Sequence, residues 1–156
     1  MAKIILVDDD PHIREVFSRL LIAKGHNVIT APDGLNAILL IKNNLPDLII
    51  LDRNLPFASG ESVFKKIKEI SRGIKVVILT GYDDEPSREH YIEMGANLFI
   101  SKSEGVTSII SKIEDLLGKT AVSEVREEKK PIVMIVDDDE YITGSLTKFL
   151  KTRGYD

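Results

Sequence analysis

Residues 47–56 read Asp-Leu-Ile-Ile-Leu-Asp-Arg-Asn-Leu-Pro. The apolar residues 48–51 follow one another without a polar face, which is typical of a central strand of a parallel sheet, covered on both sides. Asp52 stands where this strand ends. Open α/β folds bind ligands at the carboxyl ends of their strands, so Asp52 is either a reactive carboxylate or a turn-starting aspartate.

Up to residue 118, short apolar runs alternate with amphipathic segments. The runs predict strands at residues 3–7, 28–30, 47–51, 75–79 and 98–100. The segments that follow predict helices; in the first of them, apolar residues recur at helical spacing from Ile13, with Pro11 near its start and Gly25 just past its end. Five strands alternating with five helices indicate an α/β fold with a parallel sheet and right-handed crossovers.

Composition excludes several classes of function. The net charge of −4 at pH 7 and the scattered Lys and Arg residues argue against direct binding of nucleic acid. Because the sequence contains no cysteine, it has no disulfides, thiolate metal sites or thiol catalysis. No apolar run approaches the roughly 20 residues of a membrane span, and the start is too short and acidic for a signal peptide. We therefore expect a soluble, cytoplasmic protein without membrane contact.

The last part of the chain repeats its beginning. Residues 133–139, Val-Met-Ile-Val-Asp-Asp-Asp, restate residues 4–10, and the apolar positions of the first helix recur after them. Residues 119–130 are highly charged and predict a linker or a helix extension. We predict a domain at 1–118 and, at 131–156, the first strand and helix of an incomplete second domain. Such a fragment cannot bury its apolar faces alone, so we expect that the natural protein continues and that this tail can dock on the first domain or another chain.

Polar residues follow four of the predicted strands: Asp8 and Asp9, Asp52, Thr80, and Lys102. Because the carboxyl ends of parallel strands meet at one edge, we expect these side chains to share one crevice. Three carboxylates repel one another unless a cation joins them, and an all-oxygen set of ligands suits Mg²⁺. Lys102 and the Thr80 hydroxyl would meet an anion on Asp52, which fits phosphoryl transfer to a carboxylate.

Other polar residues have simpler interpretations. Asp10 and Asp139 are predicted to cap the helices that follow them. His12, His26 and His90 show no ligand or catalytic spacing, and we predict surface positions for all three. Taken singly, the strand-end residues could also be turn or solvated groups, and only their coincidence at four strand ends favours a functional site.

The motifs at these strand ends form a recognisable set: Val7-Asp8-Asp9, Asp52-Arg53-Asn54-Leu55-Pro56 with Gly60, Thr80-Gly81, and Phe99 followed by Lys102. Through them, residues 1–118 resemble a response-regulator receiver domain of two-component signalling over the whole length of that unit. The resemblance implies a flavodoxin-like, doubly wound sheet of five parallel strands in the order 2-1-3-4-5, with five helices.

The resemblance also implies roles for the acidic residues. Asp52 would be the phosphoacceptor, taking a phosphoryl group from a histidine kinase or a histidine phosphotransfer protein. Asp8 or Asp9, together with Asp52 and the backbone carbonyl of Asn54, would hold Mg²⁺. The protein would then be a signalling switch, possessing no enzymatic activity beyond assisting its own phosphorylation and dephosphorylation.

The same resemblance assigns the remaining strand-end residues. Lys102 and Thr80 would contact the phosphoryl group, and Thr80 and Phe99 would form the switch pair. Their movement would change the surface made by the fourth helix, fifth strand and fifth helix, through which a homodimer could form, as it could through the tail. The family usually has proline after the lysine, often in a cis bond, whereas this chain has Ser103, for which a trans bond is expected.

Two alternatives remain open at this point. Residues 8–10 also spell the Asp-x-Asp motif of haloacid-dehalogenase-like phosphohydrolases, in which Asp8 would be the nucleophile, and residues 76–80 resemble their hydroxyl motif. That interpretation leaves Asp52 and Gly60 unexplained. The other alternative is an adaptor that dimerises whatever its phosphorylation state.

Overall fold

A computed structural model describes residues 1–82 and 84–118. In this part of the chain, five parallel strands form one sheet in the order β2-β1-β3-β4-β5. The strands are β1 Lys3–Val7, β2 Asn27–Ala31, β3 Leu48–Asp52, β4 Lys75–Thr80 and β5 Leu98–Ser101. The predicted linker and second domain lie outside the described residues, as does the predicted cap Asp139.

Helices follow the strands in turn. They are α1 Pro11–Ala23, α2 Gly34–Asn44, α3 Gly60–Ile70, α4 Glu85–Glu93 and α5 Val106–Leu116, with a short 3₁₀-helix at Lys102–Glu104 before α5. The predicted fold class and strand order are confirmed. No helix in the described part of the chain is long and apolar enough to cross a membrane.

The sheet is covered on both faces, as the apolar run of β3 predicts. All of β3 is buried. On one face it packs with α2 and α3, through residues such as Ile41 and Ile67. On the other it packs with α1 and α5, through residues such as Phe17 and Ile113. Because every strand runs in the same direction, all carboxyl ends meet at one edge, which we call the carboxyl edge; the opposite one is the amino edge.

Side chains at the carboxyl edge start the helices. Asp10 accepts hydrogen bonds from the backbone N–H groups of His12 and Ile13, which confirms its predicted role as the N-cap of α1. Asp84 caps α4 in the same way, by accepting from the N–H of Ser87. The helices therefore begin beside the strand ends that carry the predicted site.

His26 corrects one prediction. His12 and His90 are exposed as expected, but the His26 side chain is fully buried. Its Nδ1 accepts a hydrogen bond from the N–H of Ala2 (3.2 Å), and its Nε2 contacts the carboxylate of Glu114 on α5. Because these partners lie far away in sequence, no local spacing indicated that His26 would be buried.

Candidate functional site

Three carboxylates converge at the carboxyl edge. Asp8 directly follows β1 and Asp52 ends β3; these strands are neighbours, with Val7 paired to Leu51, so the two aspartates come side by side. Oxygens of Asp8, Asp9 and Asp52 all lie within 4.8 Å of one another. Asp8 and Asp52 are buried, whereas Asp9 is exposed. The predicted acidic cluster is therefore present, with one side open to solvent.

Lys102 reaches into this cluster from the end of β5. Its Nζ lies 2.7 Å from Asp52 Oδ2 and 2.7 Å from Asp8 Oδ2. Partial burial alone would lower the pKa of Lys102, but its close contacts with the two carboxylates outweigh this effect and raise the pKa. Lys102 therefore stays charged and neutralises part of the acidic cluster.

The net negative charge of the cluster favours the binding of a cation. Burial raises the pKa of the Asp8 carboxyl, although Lys102 and the Asp10 amide act in the opposite direction. Asp8 Oδ2 is buried, and Lys102 approaches it as an ion pair rather than as an aligned hydrogen bond. One ammonium thus faces three carboxylates. An oxygen-only set of ligands with an excess of negative charge fits Mg²⁺.

The loop after β3 orients Asp52. The Asn54 N–H donates to Asp52 Oδ1 (3.0 Å), while the Asn54 side chain is exposed. Gly60, at the start of α3, donates its N–H to the Arg53 carbonyl (3.1 Å). A Cβ at Gly60 would come 2.6 Å from that carbonyl oxygen. The glycine of the motif is therefore required for the close approach that folds the loop back beside Asp52.

Thr80 and Phe99, the predicted switch pair, are both buried, and the Thr80 hydroxyl already forms hydrogen bonds. Thr80 donates from Oγ1 to the Tyr82 carbonyl (2.7 Å) and accepts from the Tyr82 N–H (3.1 Å). The ring of Phe99 lies 5.8 Å from that of Tyr91, measured between centroids. Thr80 therefore reaches the carboxyl edge, but in this arrangement its hydroxyl bonds its own loop and not Asp52.

The loop behind Lys102 is formed without proline. The described residues contain no cis peptide bond, which confirms the expected trans Lys102–Ser103 bond. Ser101 Oγ accepts from the Ser103 N–H (3.3 Å) and lies 2.7 Å from Ser103 Oγ. Two serine hydroxyls thus hold the 3₁₀ turn from which Lys102 extends.

With this geometry in place, the family can be assigned. A sequence model of the protein family described as the response regulator receiver domain matches residues 4–114, more than half of the chain. The chain belongs to this family. The receiver-domain assignment favours neither the phosphohydrolase nor the adaptor alternative.

Relatives named as regulatory proteins are similar in sequence. The chain is 29% identical over 140 residues to the probable transcriptional regulatory protein TcrX of Mycobacterium tuberculosis, covering 88% of this chain and 60% of TcrX. It is 30% identical over 123 residues to the response regulator MprA of a Mycobacterium species, covering 79% of this chain and 54% of MprA. The chain therefore spans less than two thirds of these relatives.

Solved receiver domains have the same fold. A CheY-like receiver domain protein from Methanospirillum hungatei superposes with a TM-score of 0.71 at 25% identity, covering 76% of this chain and 94% of that one. TrrA from Thermotoga maritima, solved in complex with Mg²⁺-BeF, gives a TM-score of 0.67 at 30% identity and covers 74% and 99% of the two chains.

Sequence reasoning missed two features of this receiver domain. The first is the Ser101–Ser103 pair, for which the only signal was a serine just before a helix start. The second is an ion pair between Arg53 and Asp84, 2.6 Å from Nη1 to Oδ2. The Arg53 hydrogen bond is the main cause that lowers the pKa of Asp84 to about 2. These residues are 31 positions apart, and no local pattern connects them.

Proposed function

We propose that Asp52 is the phosphoacceptor of this receiver domain. An oxygen of its carboxylate attacks the phosphorus of a phosphohistidine on a histidine kinase or a histidine phosphotransfer protein. The N–P bond breaks, an acyl phosphate forms, and the imidazole nitrogen takes up a proton. The observation that carries this proposal is the convergence of Asp8, Asp9 and Asp52 within 4.8 Å, with Lys102 2.7 Å from Asp52.

The residues that would hold Mg²⁺ are Asp8, Asp9, Asp52 and the backbone carbonyl of Asn54. The ion would neutralise negative charge shared between the carboxylates and the phosphoryl oxygens. The excess negative charge of the three carboxylates supports this site. The solved complex of TrrA with Mg²⁺-BeF supports it by analogy.

Lys102 would bind the phosphoryl group. Its ammonium already contacts the accepting carboxylate, so it can stabilise the charge that develops there without a large rearrangement. Together with the metal ligands, Lys102 would let the domain assist its own phosphorylation and dephosphorylation. This positioning is the only catalytic contribution that we assign to the chain.

Phosphorylation would act as a switch on partner binding. The acyl phosphate brings a charge of about −1.5 to −2 to the carboxyl edge. Thr80 would exchange its bonds with Tyr82 for one to the phosphoryl group, and Phe99 would follow it. The surface of α4, β5 and α5 would then shift between two populated states. A homodimer through this surface, or through the tail, is one partner that such a switch could control.

We also propose that the receiver domain ends near residue 118, that 119–130 connect it onward, and that 131–156 begin a second receiver-like domain. The support is the restatement of residues 4–10 at 133–139, with the same helical spacing after it. A folded and fully phosphorylatable fragment 1–118 would agree with this division; an insoluble fragment would contradict it.

The phosphoacceptor is tested by incubating the full chain with Mg²⁺ and acetyl phosphate. Reduction with borohydride then marks the acyl phosphate, and peptide mass spectrometry locates it. We expect label on Asp52 and its loss in Asp52→Asn. Label on Asp8, or undiminished label in Asp52→Asn, would contradict the assignment and favour the phosphohydrolase alternative.

A further inference from the structure

The residue after Asp52 has a fixed backbone. Arg53 donates its N–H to the Leu79 carbonyl of β4 (2.9 Å), which extends the sheet pairing by one residue past Asp52. Its own carbonyl accepts from the Gly60 N–H, in the close approach that excludes a Cβ at that glycine. Because the main chain is held on both sides, the direction in which the Arg53 side chain leaves the sheet is set.

The Arg53 side chain reaches Asp84, the N-cap residue of α4. Arg53 Nη1 donates to Asp84 Oδ2 at 2.6 Å, and the two side chains are only 23% and 27% exposed. The other oxygen, Asp84 Oδ1, accepts from the Ser87 N–H (2.9 Å) and caps α4. A single carboxylate therefore joins the strand that carries Asp52 to the start of α4.

Between β4 and α4, Tyr82 and Asp84 are thus each held by a side chain. At one end, the Thr80 hydroxyl bonds both backbone groups of Tyr82. At the other end, Arg53 holds Asp84. Tyr91 is the only buried residue of α4, so packing alone holds this helix weakly. Arg88 attaches the middle of α4 by donating to the Phe99 carbonyl (3.2 Å), and the Arg53–Asp84 pair attaches its N-terminal end.

We propose that the Arg53–Asp84 ion pair, which we call the latch, stabilises the hydrogen bonds between the Tyr82 backbone and the Thr80 hydroxyl. Arg53 is then a positioning residue for the switch. A hydroxyl has one proton to donate. Thr80 cannot donate to Tyr82 and to a phosphoryl oxygen at the same time, so the loop must release it. Opening the latch makes that release easier. The consequence for phosphorylation rests on the proposed function; the effect of the latch on Tyr82 does not.

Two substitutions open the latch cleanly. Arg53→Gln removes the positive charge but leaves the fixed backbone unchanged. Asp84→Asn removes the negative charge but keeps an oxygen that can accept from Ser87, and Asn is as good an N-cap as Asp. Arg53→Lys retains the charge without the forked geometry and serves as a partial rescue.

The first readout is amide hydrogen exchange of the unphosphorylated full chain. The Tyr82 amide is the donor to Thr80 Oγ1. We expect its exchange to be roughly three- to tenfold faster in Arg53→Gln and Asp84→Asn, as for couplings along packed networks. The double variant should be no faster than either single one, because both remove the same contact. Arg53→Lys should lie between wild type and Arg53→Gln.

The second readout is the initial rate of phosphorylation by acetyl phosphate in Mg²⁺. We expect it to rise by a similar factor in both variants, again without further gain in the double variant. The matched control is the pair Lys66–Glu69 on α3, which has a similar separation of 2.7 Å but side chains that are 64% and 62% exposed. Lys66→Gln and Glu69→Gln should change neither readout.

Unchanged Tyr82 exchange in the two variants, or effects that add in the double variant, would overturn the latch. Thermal unfolding monitored in parallel separates a local effect from general loss of stability, because a structural defect would speed exchange throughout the sheet. If wild type takes no phosphate on Asp52, the proposed function fails, while Tyr82 exchange still tests the latch by itself.

Discussion

At the amino edge of the sheet, the buried His26 ring has a partner on each nitrogen, the N–H of Ala2 and the carboxylate of Glu114. At the carboxyl edge, Asp8 is equally buried, yet its Oδ2 lacks an aligned hydrogen bond. The same sheet therefore satisfies its buried polar groups at one edge and leaves negative charge only partly compensated at the other, where one ammonium group faces three carboxylates. Natural proteins depart from full satisfaction of buried polar groups mainly at functional sites.

The largest effect that tests this comparison is expected from His26→Ala. The substitution leaves a cavity and removes the partner that His26 provides to Glu114 and to the Ala2 N–H. We expect the free energy of unfolding to fall by about 2–4 kcal/mol. Urea denaturation followed by circular dichroism measures it.

His90 provides the matched control, because its side chain is 51% exposed. His90→Ala should change the free energy of unfolding by less than about 0.5 kcal/mol. If His26→Ala proved as mild as His90→Ala, the amino edge would not be the stabilising edge, and the contrast between the two edges would disappear.

At the carboxyl edge, we expect a substitution to raise the free energy of unfolding instead of lowering it. Asp8→Asn removes a buried charge while Lys102 keeps Asp52 as its partner. In buffer without Mg²⁺, we expect the variant to be about 1–2 kcal/mol more stable than wild type, because a buried charge without full compensation opposes folding. The measurement is urea denaturation in a chelating buffer.

The dependence of stability on Mg²⁺ concentration provides a second measurement on the same variant. Wild type should gain stability in proportion to the logarithm of Mg²⁺ concentration above its dissociation constant, and Asp8→Asn should gain little or none. Asp47, whose carboxylate accepts from the Lys3 N–H at the amino edge (2.7 Å), is the control. Asp47→Asn should neither raise stability nor alter the response to Mg²⁺. A loss of stability in Asp8→Asn without Mg²⁺ would refute the idea of uncompensated charge.

The sequence was sufficient for the features that depend on local pattern plus topology. The apolar run before Asp52 predicted a buried central strand, and the parallel sheet then required Asp8, Asp52 and Lys102 to meet at one edge. Gly60 was identified only as part of the loop motif, and its structural reason, the close approach to Arg53, is visible only in the structure.

Features that depend on one particular distant partner could not be predicted. His26 is buried because Glu114 lies 88 residues further along the chain. Arg53 meets Asp84, 31 residues further along the chain, through loop geometry that no periodicity encodes. Single long-range polar contacts depend on side-chain placement to within fractions of an ångström, whereas periodicity reports only which face of an element is buried.

The smallest change in stability is expected from relieving backbone strain. Phe57, in the loop at the carboxyl edge, has φ +66° and a fully exposed ring. The left-handed region costs a residue with a side chain about 1–2 kcal/mol. Leu45, at the C-terminal end of α2 near the amino edge, has φ +36° and is also exposed. Strain in the backbone is thus present at both edges, unlike uncompensated charge.

Phe57→Gly should therefore stabilise the protein without touching the site. Glycine adopts this φ freely but loses more entropy on folding, so we expect a net gain of roughly 0.5–1 kcal/mol in the free energy of unfolding. Phe57→Ala keeps the strained φ and should give no gain. If Phe57→Gly also leaves the phosphorylation rate unchanged, strain is a local property of this turn. A lower rate would instead make the strained loop part of the functional edge, so that uncompensated charge would no longer be its only distinguishing feature among the described residues.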